Sequence, residues 1–163
     1  MFLLRALLKS AGKQTLPNKS RLMPAPENNI IKWIDTYELG VPEIDGDHRT
    51  LVTMMQRISK IMLSDDRKRF VALFDRITDF AQSHFEREEI LLRQWGYPDA
   101  AGHARYHQHL MAQALELKRS CLEQETPATF QECCQNMVSF IIDDVVRGDL
   151  KLKSFLQDRG LTT

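Results

Sequence analysis

No apolar run in this chain approaches the ~20 residues that a helix needs to cross a bilayer. That excludes a helical membrane span. Phe2 to Leu8 is apolar but short, is interrupted by Arg5 and is followed by no clear small-x-small cleavage site, so it is not read as a secretory signal. Strand-type alternation and internal repeats are also lacking, which removes sandwiches, barrels and solenoids from consideration. Cysteine is scarce. Cys121, Cys133 and Cys134 form an odd set without metal-finger spacing, and adjacent cysteines rarely bridge each other. They read as free thiols of a reducing compartment, the cytoplasm, serving as small apolar core residues. Charge of one sign is missing overall, with 22 basic and 22 acidic residues. Arg5, Lys9, Lys13, Lys19 and Arg21 lie in the first 26 residues without an acid among them, which leaves 17 basic against 22 acidic residues elsewhere. A mildly acidic body argues against a nucleic-acid-binding face.

A chain of 163 residues makes one domain, able to bury about two-thirds of its unfolded surface without disulfides. Residues 1–27 read as a basic extension ending in Pro24-Ala-Pro26, residues 28–158 as the domain and residues 159–163 as a tail. If residues 1–13 are helical, Leu4, Leu7, Leu8 and Ala11 share one side and Arg5, Lys9 and Lys13 the other, a pattern suited to weak contact with an anionic membrane surface or a protein. A poorly ordered extension is the simpler alternative. Residues 30–45 carry Gly40 and Pro42 and read as an extended arm whose Trp33 and Tyr37 cover part of a helical body.

Four amphipathic helices follow. The first is expected to start near Asp45 to Asp47, good N-cap residues, and to run to about Leu63 with His48, Leu51, Val52, Met55, Ile58 and Met62 on one face. The second runs from about Asp66 to Trp95, with Phe70, Leu73, Ile77, Phe80, His84, Glu88, Leu91 and Trp95 recurring in steps of three and four. Gly96-Tyr-Pro98-Asp99 breaks it and caps a third, which reaches about Gln124 with His103, His107, Leu110, Ala114, Leu117 and Cys121 aligned. The fourth opens after Pro127 with Phe130, Cys134, Met137, Ile141 and Asp144 in line; Gly148 is expected to loosen it before a closing segment, Leu150 to Leu156. Helices of this length on short loops predict an all-α, up-down-up-down four-helix bundle.

Polar residues interrupt each apolar stripe: His48, then His84 with Glu88, then His103 with His107, then Asp144 and Asp149. A core-facing histidine alone is usually a satisfied buried group, and one HxxxE or HxxxH pair arises by chance on many helices. Seven such groups on four stripes call for a cation, because a buried carboxylate without a partner costs several kcal/mol. Residues four apart lie about 5–6 Å from each other on one face and can share one ion. Imidazole with carboxylate suits iron, manganese or zinc, and bridging carboxylates suit a metal pair.

From Trp33 to about Leu156 the chain resembles the hemerythrin family, in particular its bacterial single-domain members. The matching phrases are Trp33-x-x-x-Tyr37-x-x-Gly40-Val-Pro-x-Ile-Asp45-x-x-His48-Arg-x-Leu51, then His84-Phe-x-x-Glu88-Glu, then Gly96-Tyr-Pro98 with His103-x-x-x-His107. The resemblance implies a four-helix bundle around two non-haem irons that binds dioxygen. By this analogy His48 and His84 serve the oxygen-binding iron, His103 and His107 serve the other, and Glu88 and Asp149 bridge the pair. Where the family places a histidine five residues before the bridging aspartate, this chain has Asp144; His109, two residues past His107, is turned about 200° away and cannot replace it. Phe140 stands where the family usually has tryptophan, leaving an apolar wall with Ile141 and Val145 beside the expected gas pocket.

An extra carboxylate about 4 Å from iron is worth ~4 kcal/mol at an effective dielectric of 20, or on the order of 100–200 mV, in favour of the ferric state. Asp144 therefore points away from a plain oxygen carrier, and its harder oxygen donors also admit manganese. Three readings follow: a di-iron protein that binds or senses dioxygen or a related small oxidant; an oxidase or peroxidase using the altered centre, iron- or manganese-based; and a metal-poor degenerate bundle acting in protein interaction. The Glu-x-x-His pairs of ferritin-like enzymes are absent.

Overall fold

A computed structural model describes residues 37–162, the side chains at 140, 141, 143–147 and 150 excepted. The basic extension and Trp33 lie outside the described residues. The regular elements are α1 (Pro42–Met62), α2 (Arg67–Gln94), α3 (Ala100–Leu122) and α4 (Pro127–Asp158), and no strand occurs among the described residues. Each helix packs against its two neighbours, α1 closing on α4. With links this short the direction reverses at each step, giving the bundle that the four amphipathic stripes predict.

The helix ends show how the sequence sets those reversals. Asp66 caps α2 by accepting from the Arg69 N–H at 3.0 Å. Thr126 and Thr129 cap α4 reciprocally, with Pro127 in the first turn, where its missing N–H costs nothing. Arg67 ties the same end together, donating to the carbonyls of Leu122 at 3.1 Å and Gln124 at 2.8 Å while its guanidinium lies 4.5 Å from the Phe130 ring centre. Gly96, at φ +70°, takes the left-handed turn that ends α2.

Two boundaries differ from the sequence reading. The first helix begins at Pro42, before the expected Asp45 to Asp47. Asp45 sits in its first turn and reaches back, accepting from the Leu39 N–H at 2.7 Å and the Gly40 N–H at 3.0 Å, so it fastens the arm to the helix and does not open the helix itself. The arm is correspondingly shorter, although Tyr37 does pack against the core. The last helix runs unbroken through Gly148. A Cβ there would lie 2.6 Å from Tyr106 Cε1, so the glycine admits the tyrosine ring between α3 and α4 and does not loosen the chain.

The apolar interior falls into two clusters. The larger holds Leu51 to Met62 of α1, Phe70 to Phe85 of α2, Leu110 to Cys121 of α3 and Phe130 to Ile142 of α4. The smaller, at the other end, holds Leu39, Val41, Ile44, Leu92, Leu152 and Leu156. Between them lie the buried side chains of His48, His84, Glu88, His103, His107 and Asp149. Cys121 and Cys134 are buried and Cys133 half-buried, all three as free thiols. Burial pushes the Cys133 thiol up to about 12, which keeps it protonated and inert.

Candidate metal centre

Six side chains from all four helices meet in the polar layer. His48 Nε2 lies 3.1 Å from Asp149 Oδ2. His84 Nε2 is 3.7 Å from Glu88 Oε2, and His107 Nε2 is 3.5 Å from the same oxygen. His103 Nε2 is 3.5 Å from both Glu88 Oε1 and Asp149 Oδ1. Donor atoms around an ion held by bonds of about 2.0–2.2 Å stand roughly 3–3.5 Å from each other, the spacing seen here. Two sets of candidate ligands emerge, His48 with His84 and Asp149, and His103 with His107, Glu88 and Asp149. Asp149 belongs to both, and Glu88 lies between His84 on one side and the α3 pair on the other.

Hydrogen bonding does not account for this arrangement. Among the described residues, eight buried polar atoms lack a hydrogen-bond partner: both ring nitrogens of His48, Nε2 of His84, His103 and His107, both oxygens of Glu88, and Oδ2 of Asp149. The close His48–Asp149 pair attracts across 3.1 Å but is off the line that a hydrogen bond requires. Native interiors leave few such atoms, since each costs about 1–3 kcal/mol. Their convergence in one layer, on imidazole nitrogen and carboxylate oxygen, fits a cation pair.

Two further carboxylates stand behind the layer. Asp47 Oδ2 lies 3.2 Å from His84 Nδ1, and Glu89 Oε1 lies 3.1 Å from His107 Nδ1. The Phe85 ring stacks on His107 with centres 3.9 Å apart, and the His48 and His84 rings meet edge-on at 4.9 Å. In the protein alone the imidazoles divide into two kinds. Burial pushes His84 down to about 4 and His107 down as well. Burial also acts on His48 and His103, but Asp149 beside the first and Glu88 beside the second outweigh it and raise both.

Six of the seven residues singled out in the sequence as metal ligands are therefore brought together, and His109 faces solvent. The side chains of Asp144, Phe140, Ile141 and Val145, the seventh candidate and the expected pocket wall, lie outside the described residues. Asp47 and Glu89 were missed. Each adjoins one of the six converging residues in sequence, which makes it look like part of a solvated helix face.

A family model, the hemerythrin HHE cation binding domain, matches residues 39–149, a span that ends on Asp149 and includes all six converging side chains. The chain belongs to the hemerythrin family. Hemerythrins bind non-haem iron, and the buried histidine and carboxylate layer is a group able to hold metals. Among relatives, a bacteriohemerythrin of Stenotrophomonas maltophilia is 27% identical over 120 residues, covering 74% of this chain and 76% of the relative. One from Clostridium acetobutylicum is 23% identical over 124 residues, covering 72% and 94%. One from Pseudomonas aeruginosa is 23% identical over 86 residues, and there the match spans only 56% of the relative's length. No described helix is long and apolar enough to cross a membrane.

Proposed function

We propose that this chain holds two non-haem irons between its helices and binds or senses dioxygen or a related small oxidant. The observation that carries the reading is the set of eight unpartnered atoms aimed into one buried layer. His48 and His84 would hold one iron and His103 and His107 the other, with Glu88 and Asp149 shared. When bound, ferrous iron supplies reversible electron donation to oxygen, which no side chain here can supply. The residues do the rest. Four neutral imidazoles and two carboxylates set the ligand charge, the two apolar clusters keep bulk water from the layer, and Phe85 fixes the plane of His107. Residues 28–158 would act as the functional unit in a reducing cytoplasm, and residues 1–27 would be an extension.

Asp144, by its place in the sequence, favours a second reading in which the more easily oxidised centre acts as an oxidase or peroxidase on iron or manganese. Anaerobic purification with ferrous iron, metal counting and visible spectra on adding oxygen separate the two. Two irons per chain with an oxygen-dependent band that vanishes under vacuum support binding or sensing. Irreversible bleaching with peroxide turnover supports the enzyme, and fewer than one metal per chain would sink both. Asp144→His is expected to prolong the reversible spectral state; an unchanged lifetime would mean that Asp144 is not a ligand.

A further inference from the structure

We infer that Asp47 and Glu89 are positioning residues, each governing one half of the metal pair, and that Arg87 makes the Asp47 half the more firmly held. The inference rests on the proposed two-metal reading and concerns residues which that reading does not use.

Each half contains one imidazole whose outer nitrogen meets a carboxylate: His84 Nδ1 with Asp47 at 3.2 Å, and His107 Nδ1 with Glu89 at 3.1 Å. A carboxylate oxygen only accepts, so Nδ1 must carry the proton and Nε2 is left with its lone pair turned into the layer. The same contact fixes the ring's rotation and strengthens it as a donor. His48 has no such support among the described residues, where both of its ring nitrogens lack hydrogen bonds. In the half it shares with His84, orientation therefore depends on Asp47.

The two supports differ in their own anchoring. Asp47 Oδ2 also accepts from Arg87 Nη2 at 2.6 Å, a charge-assisted hydrogen bond. Among the described residues, Glu89 Oε2 has Arg93 Nη1 at 3.7 Å, beyond hydrogen-bond length, from a side chain that is 58% exposed against 40% for Arg87. A well-held carboxylate spends more of its time in place. The placement in sequence is regular: Asp47 precedes His48 on α1 but serves His84 on α2, and Glu89 follows Glu88 on α2 but serves His107 on α3. Each therefore joins two helices just outside the layer.

The test uses the full chain and ferrous iron, titrated anaerobically with chelator competition, alongside cobalt(II) as a spectroscopic stand-in. Asp47→Asn is expected to keep one tight metal and weaken the other 10–100-fold, the range typical for lost outer contacts. Its cobalt spectrum should resemble that of His48→Ala. Glu89→Gln should weaken the opposite half by less, with a spectrum like that of His103→Ala. Arg87→Gln, at a solvent-reaching position, should weaken the same half as Asp47→Asn and add nothing in its background, the mark of one chain of contacts. It also serves as the reading if Asp47→Asn does not fold. Equal weakening of both halves, or two unaltered affinities beside a wild type that holds two irons, would overturn the inference and leave the two-metal reading standing. A wild type with fewer than one iron overturns both.

Discussion

Stripping the metals should cost this protein a large part of its thermal stability. With no ion present, eight atoms in the middle of the bundle have no hydrogen-bond partner, and two carboxylates face four imidazoles between the apolar clusters. A ligand that binds only the folded chain stabilises it by ~4 kcal/mol at a thousand times its dissociation constant. The six side chains form two ligand sets sharing Asp149, so two such ions contribute about 8 kcal/mol. For a domain of this size 1 kcal/mol shifts the melting midpoint by about 2–4 °C, which puts the drop on stripping at roughly 16–32 °C. Calorimetry of iron-loaded and chelator-treated protein under argon measures it. Re-addition of ferrous iron should restore the midpoint, and magnesium, which prefers oxygen ligands, should not. A stripped protein that melts within 3 °C of the loaded one would refute the claim that the layer is built around ions.

Loading should also release protons. Asp149 raises His48 and Glu88 raises His103, while burial lowers His84 and His107, so His48 and His103 are the main source of the protons that leave as the sites fill. Acid therefore opposes loading, and titration calorimetry in two buffers of different ionisation enthalpy reads the count; no buffer dependence would contradict it. For the stripped fold itself, what the raised pair contributes is present in full below about pH 6.5 and is lost as pH rises through their raised values, whereas the His84 contribution is lost as pH falls from about 6.5 toward 4. Gly148→Ala places a methyl 2.6 Å from Tyr106 Cε1; overpacking of about 1–3 kcal/mol should exceed the ~1 kcal/mol gained in helix propensity, and a smaller residue at 106 should rescue it in a double variant. Asp45→Ala removes the carboxylate that accepts from the Leu39 and Gly40 N–H groups and should cost about 2–4 kcal/mol in chemical denaturation, with Asp45→Asn losing less.

The bundle and most of its centre were legible because burial leaves a period. His84 with Glu88 and His103 with His107 broke apolar stripes at helical spacing, and the structure buries all four. Helix ends marked by strong stops, Asp66, Gly96 and Pro127, fell where expected. The start of α1 did not, because Asp45 and Asp47 look like caps from the sequence, whereas Pro42 fixes the first turn and both aspartates face inward to bond something else. Gly148 misled for a related reason: a glycine within a helix can mark a weak point or the close passage of another chain segment, and only the position of Tyr106 distinguishes them. Asp47 and Glu89 were invisible because their partners lie on other helices, 37 and 18 residues away.

The polar layer also divides the interior, with Leu39, Val41, Ile44, Leu92, Leu152 and Leu156 on one side and the larger cluster on the other. A stripped protein thus contains two apolar units joined across a stratum that attracts water. The smaller unit, formed by the start of α1, the end of α2 and the end of α4, should open first, and its amides should exchange with solvent ahead of those around Phe70, Phe74 and Phe130. Ions that tie His48 to Asp149 and Glu88 to His103 would fuse the two units into one cooperative body. Metal occupancy then determines whether the bundle unfolds in one step or two.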